Sequence, residues 1–307
     1  MSCKYPVILV AMAVSSIIRA GNVPDSTSVR IYEDVPYAHA EGYWCDNPAH
    51  DNDVAAQVRM FPKVLRRRDL ELTMDIYCPE TSSGTASCRP LVMLIHGGAY
   101  YANSKRSEPV ASLCRDLAAR GYVTASINYR LGYHLTGASV RKARENAVDD
   151  ASAALDFLLE NGAGYGIDTS FVIVGGASSG AITALTLASR DDRVCGIIDL
   201  WGAVDRLDLL DSCNAGLLAI HGNVDTTVPY DEGYPLGGRL MGYMYGSRPL
   251  VARRLAQGHD ARLVTLDGYG HAPYREKDFS FNENYPLMLN EILVFLGNSP
   301  KNDIFEK

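Results

Sequence analysis

Phe171-Val-Ile-Val-Gly-Gly-Ala-Ser178-Ser-Gly-Ala-Ile-Thr-Ala-Leu185 joins an apolar, β-forming run to a run of helix formers through Gly176-Ala-Ser178-Ser-Gly180. A serine flanked at two-residue distance by glycines, between a strand and a helix, is the pattern of a sharp turn with the hydroxyl at its apex. Such a turn is crowded, so the flanking positions must be small. The helix that follows aims its unpaired N–H groups at the apex. A serine hydroxyl attacks poorly unless a base takes its proton. The stretch therefore predicts a serine nucleophile, Ser178, and sends the search outward for its partners. Ser179 is the competing nucleophile, because Ala177 and Ala181 give it small flanks as well.

Outward from this turn, strand-like and helix-like segments alternate. Val29–Tyr37 and Leu70–Tyr77 alternate apolar and polar residues, as edge strands do. Leu91–Ile95 is continuously apolar, as expected of a strand buried on both faces. A helix over Glu108–Arg120, a strand over Tyr122–Tyr129 and a long helix over Ser139–Leu159 precede the strand Phe171–Val174. After the helix from Ser179 come strands Val194–Leu200 and Leu217–Ile220, helix Leu250–Gln257, strand Arg262–Leu266 and helix Tyr285–Leu296. This alternation predicts an α/β fold with a mostly parallel central sheet and helices on both faces. Ligands of such sheets bind beyond the carboxyl ends of the strands.

Two further segments sit at such ends. Strand Leu217–Ile220 runs into His221-Gly-Asn-Val-Asp225, and strand Arg262–Leu266 runs into Asp267-Gly-Tyr-Gly-His271. Ser178, Asp225 and His271 thus each follow their own strand, in the order nucleophile, acid, base. Asp231 competes with Asp225 as the acid, and His259 with His271 as the base. His96 and His221 read as residues that orient their loops. Arg130 with Asp149 or Asp150 reads as a structural ion pair. Upstream, Ile95-His96-Gly97-Gly98-Ala99 leaves a buried strand with glycines that let N–H groups point at a developing oxyanion.

The segment Leu91–Ser104 with His96-Gly-Gly-Ala-Tyr100 resembles the HGG segment of carboxylesterases and hormone-sensitive-lipase-like esterases of the α/β-hydrolase superfamily. Gly121–Leu131, Tyr165-Gly-Ile-Asp168 and the Ser178 turn resemble the same family in the same order, over roughly Leu70–Leu296. The resemblance implies an α/β-hydrolase fold and carboxylic-ester hydrolysis with no metal or organic cofactor. It implies Ser178 as nucleophile, His271 as base and Asp225 as acid, with oxyanion N–H groups from Gly98, Ala99 and Ser179. Ala99 replaces the usual third glycine and a second serine follows the nucleophile; both narrow the acyl site. Trp201–Cys213 is short and charged, with little room for a lipase lid. The expected substrates are short-chain or compact aryl esters. Feruloyl or acetyl groups on a polysaccharide and polyesters are the alternatives. A prolyl-oligopeptidase-like peptidase would bring a repeat-built accessory domain, and no repeat is evident here. A non-catalytic binding relative would normally lack a member of the triad.

The 307 residues are 47% hydrophobic and 21% charged, with a net charge of −7. This suits a globular chain with a large core. The acidic balance gives no reason to expect a nucleic-acid partner. The expected partner is an ester substrate, free or polymer-borne, without stable membrane insertion. Lys4, the apolar run Tyr5–Ile18 and Arg19-Ala20-Gly21 resemble a cleavable signal peptide, so the predicted organisation is signal 1–20, extension or cap 21–69 and catalytic region 70–299, secreted or periplasmic. Six of the seven cysteines remain after residue 20, and Cys78 and Cys88 bracket a loop-like stretch, which predicts a disulfide between them.

Overall fold

The computed structural model describes residues 28–45, 65–80, 88–132 and 136–297. Its strands are β1 (Val29–Cys45), β2 (Leu65–Pro79), β3 (Arg89–Ile95), β4 (Val123–Ile127), β5 (Ile167–Ala177), β6 (Val194–Leu200), β7 (Ala203–Val204), β8 (Gly216–Gly222), β9 (Glu232–Gly233), β10 (Met244–Gly246) and β11 (Ala261–Leu266). Five main helices, α1 (Val110–Ala118), α2 (Gly137–Glu160), α3 (Ser179–Ala188), α4 (Ser247–Ala256) and α5 (Asn284–Gly297), connect or close them.

Eight strands form one sheet in the order β1-β2-β4-β3-β5-β6-β8-β11. From β4 to β11 every neighbouring pair is parallel, and β1 and β2 add an antiparallel edge. The alternation of side chains along a strand builds two cores from one sheet. Along β3, Leu91, Met93 and Ile95 enter the core shared with α2, α3 and α4, whereas Val92 and Leu94 enter the core shared with α1 and α5. All five are fully buried, each such side chain contributing about 1.5–3 kcal/mol of transfer free energy. That two-sided burial is why the run has no polar alternation.

The predicted early strands are present and longer than their periodicity indicated. Residues 29–45 of the expected extension pair with β2 along the sheet edge, while 1–27 and 46–64, including the predicted signal, lie outside the described residues. At the bulge in β1, Asp34 reaches Lys105 Nζ at 2.5 Å. Lys105 also pairs with Asp75 of β2, and both of these side chains are buried. This knot ties the edge strands to the loop that leaves β3.

The expected Cys78–Cys88 disulfide is not formed: both are free thiols. Cys78 points into the fold, 3.7 Å from the Tyr165 carbonyl, and burial pushes its thiol up to about 11. Cys88 is exposed just before β3. A loop that looks closed by sequence leaves its two ends facing different environments. Among the described residues no helix is long and apolar enough to cross a membrane.

Candidate active site

Ser178 leaves β5 with φ 56° and ψ −121° and α3 starts at the next residue. A positive φ in a residue with a side chain costs on the order of 1–3 kcal/mol and persists only where its surroundings enforce it. Here the enforcement is steric. A Cβ on Gly176 would stand 2.5 Å from the Ile95 oxygen, and one on Gly180 would stand 2.1 Å from it. The two glycines thus let α3 dock directly on the end of β3 and force the chain to turn at Ser178.

His271, in the loop after β11, accepts or donates at Nε2 to Ser178 Oγ at 3.0 Å, while its Nδ1 faces Asp225 Oδ2 at 2.7 Å. Since Asp225 as a carboxylate can only accept, His271 carries its proton on Nδ1 and presents Nε2 as an acceptor to the serine. Asp225 Oδ1 accepts from the backbone N–H groups of Thr227 and Val228 at 2.7 and 3.0 Å. Burial alone would raise the Asp225 carboxyl; hydrogen bonds from His221 and His271 and from the Val228 N–H outweigh it and hold it well below the usual carboxylate range.

The loop after β3 comes close to the serine on the other side. A Cβ on Gly97 would meet the Ala177 oxygen at 2.9 Å and Ser178 Cβ at 3.2 Å. Gly98, Ala99 and Tyr100 all have positive φ, and a Cβ on Gly98 would collide with the Ala102 oxygen at 2.3 Å. Ser179, the first residue of α3, carries an N–H that its own helix leaves unpaired. His96 anchors this loop without facing Ser178. Its Nδ1 lies 2.7 Å from the Gly97 carbonyl and its ring stacks on Tyr129 at 4.3 Å. Burial lowers the His96 imidazole to about 4, so it is neutral near pH 7.

These elements enclose a cavity of about 170 Å³, lined among others by Gly98, Ser178, Trp201, His271, Tyr274 and Arg275. Trp201 follows β6 with φ 45° and is almost wholly buried. Leu236, 61% exposed, forms part of the cavity rim. It belongs to the insertion between Asp225 and α4, which with β7 builds a small three-stranded sheet in the order β7-β10-β9. Among the described residues no group of three His, Cys, Asp or Glu side chains has the geometry to hold a metal.

The competing candidates lie elsewhere. Asp231 is an exposed partner of Arg248. His259 precedes the amino end of β11, across the sheet from the serine. Asp150 takes Arg130 at 2.6 Å, through its guanidinium, and also accepts the Arg130 backbone N–H at 2.7 Å. Tyr101 lines the cavity, Tyr100 is core, and Tyr243 packs edge to face on both Tyr234 and Tyr245. Sequence reasoning missed Trp201, Tyr274, Arg275 and Leu236 as cavity residues, because only the fold brings their three separate loops together. It also missed Asp199 and Ser247 behind the site; a lone charge inside the apolar run Val194–Leu200 was the one available signal.

The family model described as BD-FAE matches residues 74–195. The chain is 30% identical over 162 residues to para-nitrobenzyl esterase of Bacillus subtilis (strain 168), covering 51% of this chain and 31% of that protein. It is 30% identical over 134 residues to gut esterase 1 of Caenorhabditis elegans, covering 41% and 23%. The chain thus spans less than a third of the length of these curated relatives. The apo form of Thermogutta terrifontis esterase 2 superimposes with a TM-score of 0.56 at 18% identity, covering 74% of this chain and 91% of that one. A truncated carbohydrate esterase from gut microbiota gives 0.54 at 17%, covering 90% and 99%. At such identities the structural likeness speaks for the fold. The BD-FAE match runs through the turn at Ser178, the structural likeness spans the sheet around it, and the chain has the α/β-hydrolase fold of these esterases.

Proposed function

We propose that the protein is a serine carboxylic-ester hydrolase that works through an acyl-enzyme on short-chain or compact aryl esters. The observation that carries this reading is the continuous line from Ser178 Oγ through both ring nitrogens of His271 to Asp225 Oδ2. Each bond in it has the length of a working hydrogen bond. In the forward step His271 Nε2 takes the Ser178 proton as Oγ attacks the ester carbonyl. The oxyanion is met by the N–H groups of Gly98, Ala99 and Ser179. The imidazolium then gives its proton to the departing alcohol, and water repeats the sequence on the acyl-enzyme. Asp225 fixes the tautomer that makes Nε2 the base.

The small cavity, walled by Trp201 and Tyr274, supports a compact acyl group. The exposed Leu236 at the rim favours a second reading, in which the alcohol is borne on a polysaccharide or polyester that remains outside. Export by cleavage after Ala20 belongs to the same proposal, and a mature chain beginning at Gly21 would bear it out.

The deciding experiment is a pre-steady-state reaction with p-nitrophenyl acetate. A p-nitrophenol burst stoichiometric with protein, with an acetyl mass on the Ser178 peptide, is expected. Folded protein that gives neither burst nor acetylation would make this chain a binding relative instead.

A further inference from the structure

Asp225 Oδ2 accepts from a second histidine. His221 Nε2 lies 3.2 Å from that oxygen and 3.2 Å from the Val228 carbonyl. Its other nitrogen, Nδ1, lies 2.8 Å from Ser247 Oγ, and Ser247 Oγ lies 2.7 Å from Asp199 Oδ2. Asp199 Oδ1 accepts the Gly202 N–H at 2.8 Å. Asp199, His221 and Ser247 are all 0% exposed. The three come from three elements, β6, β8 and the first residue of α4.

Counting protons along this arm leaves little freedom. A carbonyl cannot donate and an ionised carboxylate cannot donate, so His221 Nε2 carries a hydrogen. Ser247 has one hydroxyl proton. If it goes to Asp199, then His221 Nδ1 must be the donor to Ser247, and His221 is an imidazolium between two carboxylates. If it goes to His221 Nδ1 instead, Asp199 must be protonated and donate to Ser247. Both arrangements hold the same number of protons and leave the arm with zero net charge. They differ only in whether the extra proton sits beside Asp225 or one hydroxyl further away. An uncharged total is what a buried site favours.

We propose that His221, Ser247 and Asp199 form a buried proton-holding arm that positions Asp225 and moves its extra proton from His221 to Asp199 when His271 takes the proton of Ser178. The proposal rests on the hydrolase reading above for the step that charges His271. The shift is balanced: His221 Nδ1–H passes its proton to Ser247 Oγ as the Ser247 hydroxyl proton passes to Asp199 Oδ2. Nothing is gained or lost. Its driving force is repulsion between two imidazoliums on one carboxylate oxygen, which falls when one of them becomes neutral. The other groups facing His221 do not supply a competing proton path. The Tyr230 ring meets it edge-on at 5.6 Å, but the Tyr230 hydroxyl is turned to Thr265 at 2.6 Å. The Arg248 guanidinium lies over that ring and pairs with Asp231. Burial pushes the Asp199 carboxyl up, against the pull of His221, which suits it to receive a proton.

His221, Ser247 and Asp199 are positioning residues, and the test needs readouts that loss of packing alone would not move. In Asp199→Asn the arm can no longer hold the extra proton, His221 stays neutral, and Asp225 keeps its full charge toward His271. The expected result with p-nitrophenyl acetate is a kcat lower by on the order of 10-fold, the size seen when a residue that orients a working side chain is removed. The acid limb of kcat/KM should move to higher pH, because a fully charged Asp225 retains the imidazolium of His271 longer. Asp199→Asn combined with Ser247→Ala should lose no more than the worse single variant. An unmoved acid limb, or losses that multiply, would overturn the proposal. Nitrogen-15 histidine NMR of the full wild-type chain decides it without reference to turnover or to any variant's folding. His221 should show a protonated Nε2 and a proton at Nδ1 that is given up as His271 titrates. A His221 Nδ1 bare throughout, or indifferent to that titration, would refute the arm. Absence of ester turnover in wild type would remove the hydrolase reading and leave the NMR result to stand by itself.

Discussion

The Trp201 indole lies nearly parallel to the Tyr274 ring, with centroids 5.6 Å apart and 10° between planes, and meets His271 edge-on at 6.3 Å. The two rings come from the loops after β6 and β11 and are both almost wholly buried. They make a rigid wall beside Ser178, since neither ring can turn without breaking the stack.

On the proposed hydrolase reading, that wall limits the acyl group. Each buried CH₂ adds about 0.8 kcal/mol only where there is surface to receive it. For p-nitrophenyl acetate, butyrate, octanoate and palmitate, kcat/KM is expected to peak at acetate or butyrate. Trp201→Ala should raise the octanoate-to-acetate ratio. A rise continuing to palmitate in the wild type would mean an acyl tunnel elsewhere.

Ser178 sits on the line to His271, and Ser179 is buried at the head of α3. Ser178→Ala should lower kcat by on the order of a million-fold, as loss of a triad nucleophile does. Ser179→Ala should only weaken turnover, since the N–H proposed to meet the oxyanion is a backbone group that alanine keeps. The reverse ranking in steady-state assays would shift the nucleophile by one residue.

Asp225→Asn should cost about 10⁴ in kcat, because asparagine can donate to His271 Nδ1 and stabilise the wrong tautomer. Asp225 also carries a stability term with a definite sign. Its folded carboxyl is depressed, so its contribution is complete above about pH 3.9, the unfolded value, and is lost as pH falls through the lower folded value. Thermal melts below pH 4 should therefore show a steeper loss in wild type than in Asp225→Asn.

His96 acts in a higher window. Its folded imidazole titrates at about 4 and an unfolded one near 6.5, so the unfolded chain binds the extra proton between those values. Stability should fall as pH drops from about 6.5 to 4, by up to the order of 3 kcal/mol from this group. His96→Gln should flatten that part of the Tm–pH curve. An unchanged slope would mean that His96 is not the group responsible.

Much of this was readable along the chain because it rests on local chemistry. Gly176 and Gly180 announce a crowded turn, the apolar run Leu91–Ile95 announces two-sided burial, and the loops holding Ser178, Asp225 and His271 each follow their own strand. Those features depend on steric limits and side-chain alternation that operate within a dozen residues. The Cys78–Cys88 pairing was misread for the opposite reason: closeness in sequence does not tell which way two side chains point, and Cys78 turns inward beside Tyr165.

The sequence by itself determined the strand-helix alternation, the turn at Ser178 and the identity of the groups that can donate, accept or attack. Only the tertiary structure decided which of those groups meet. Sheet order puts β6 beside β8, and that adjacency, with α4 packed over it, brings Asp199 and Ser247 to His221 across separations of 22 and 26 residues. Hydrogen bonds act over about 3 Å, and nothing in a linear spacing encodes which distant side chains a twisted parallel sheet will bring within that reach.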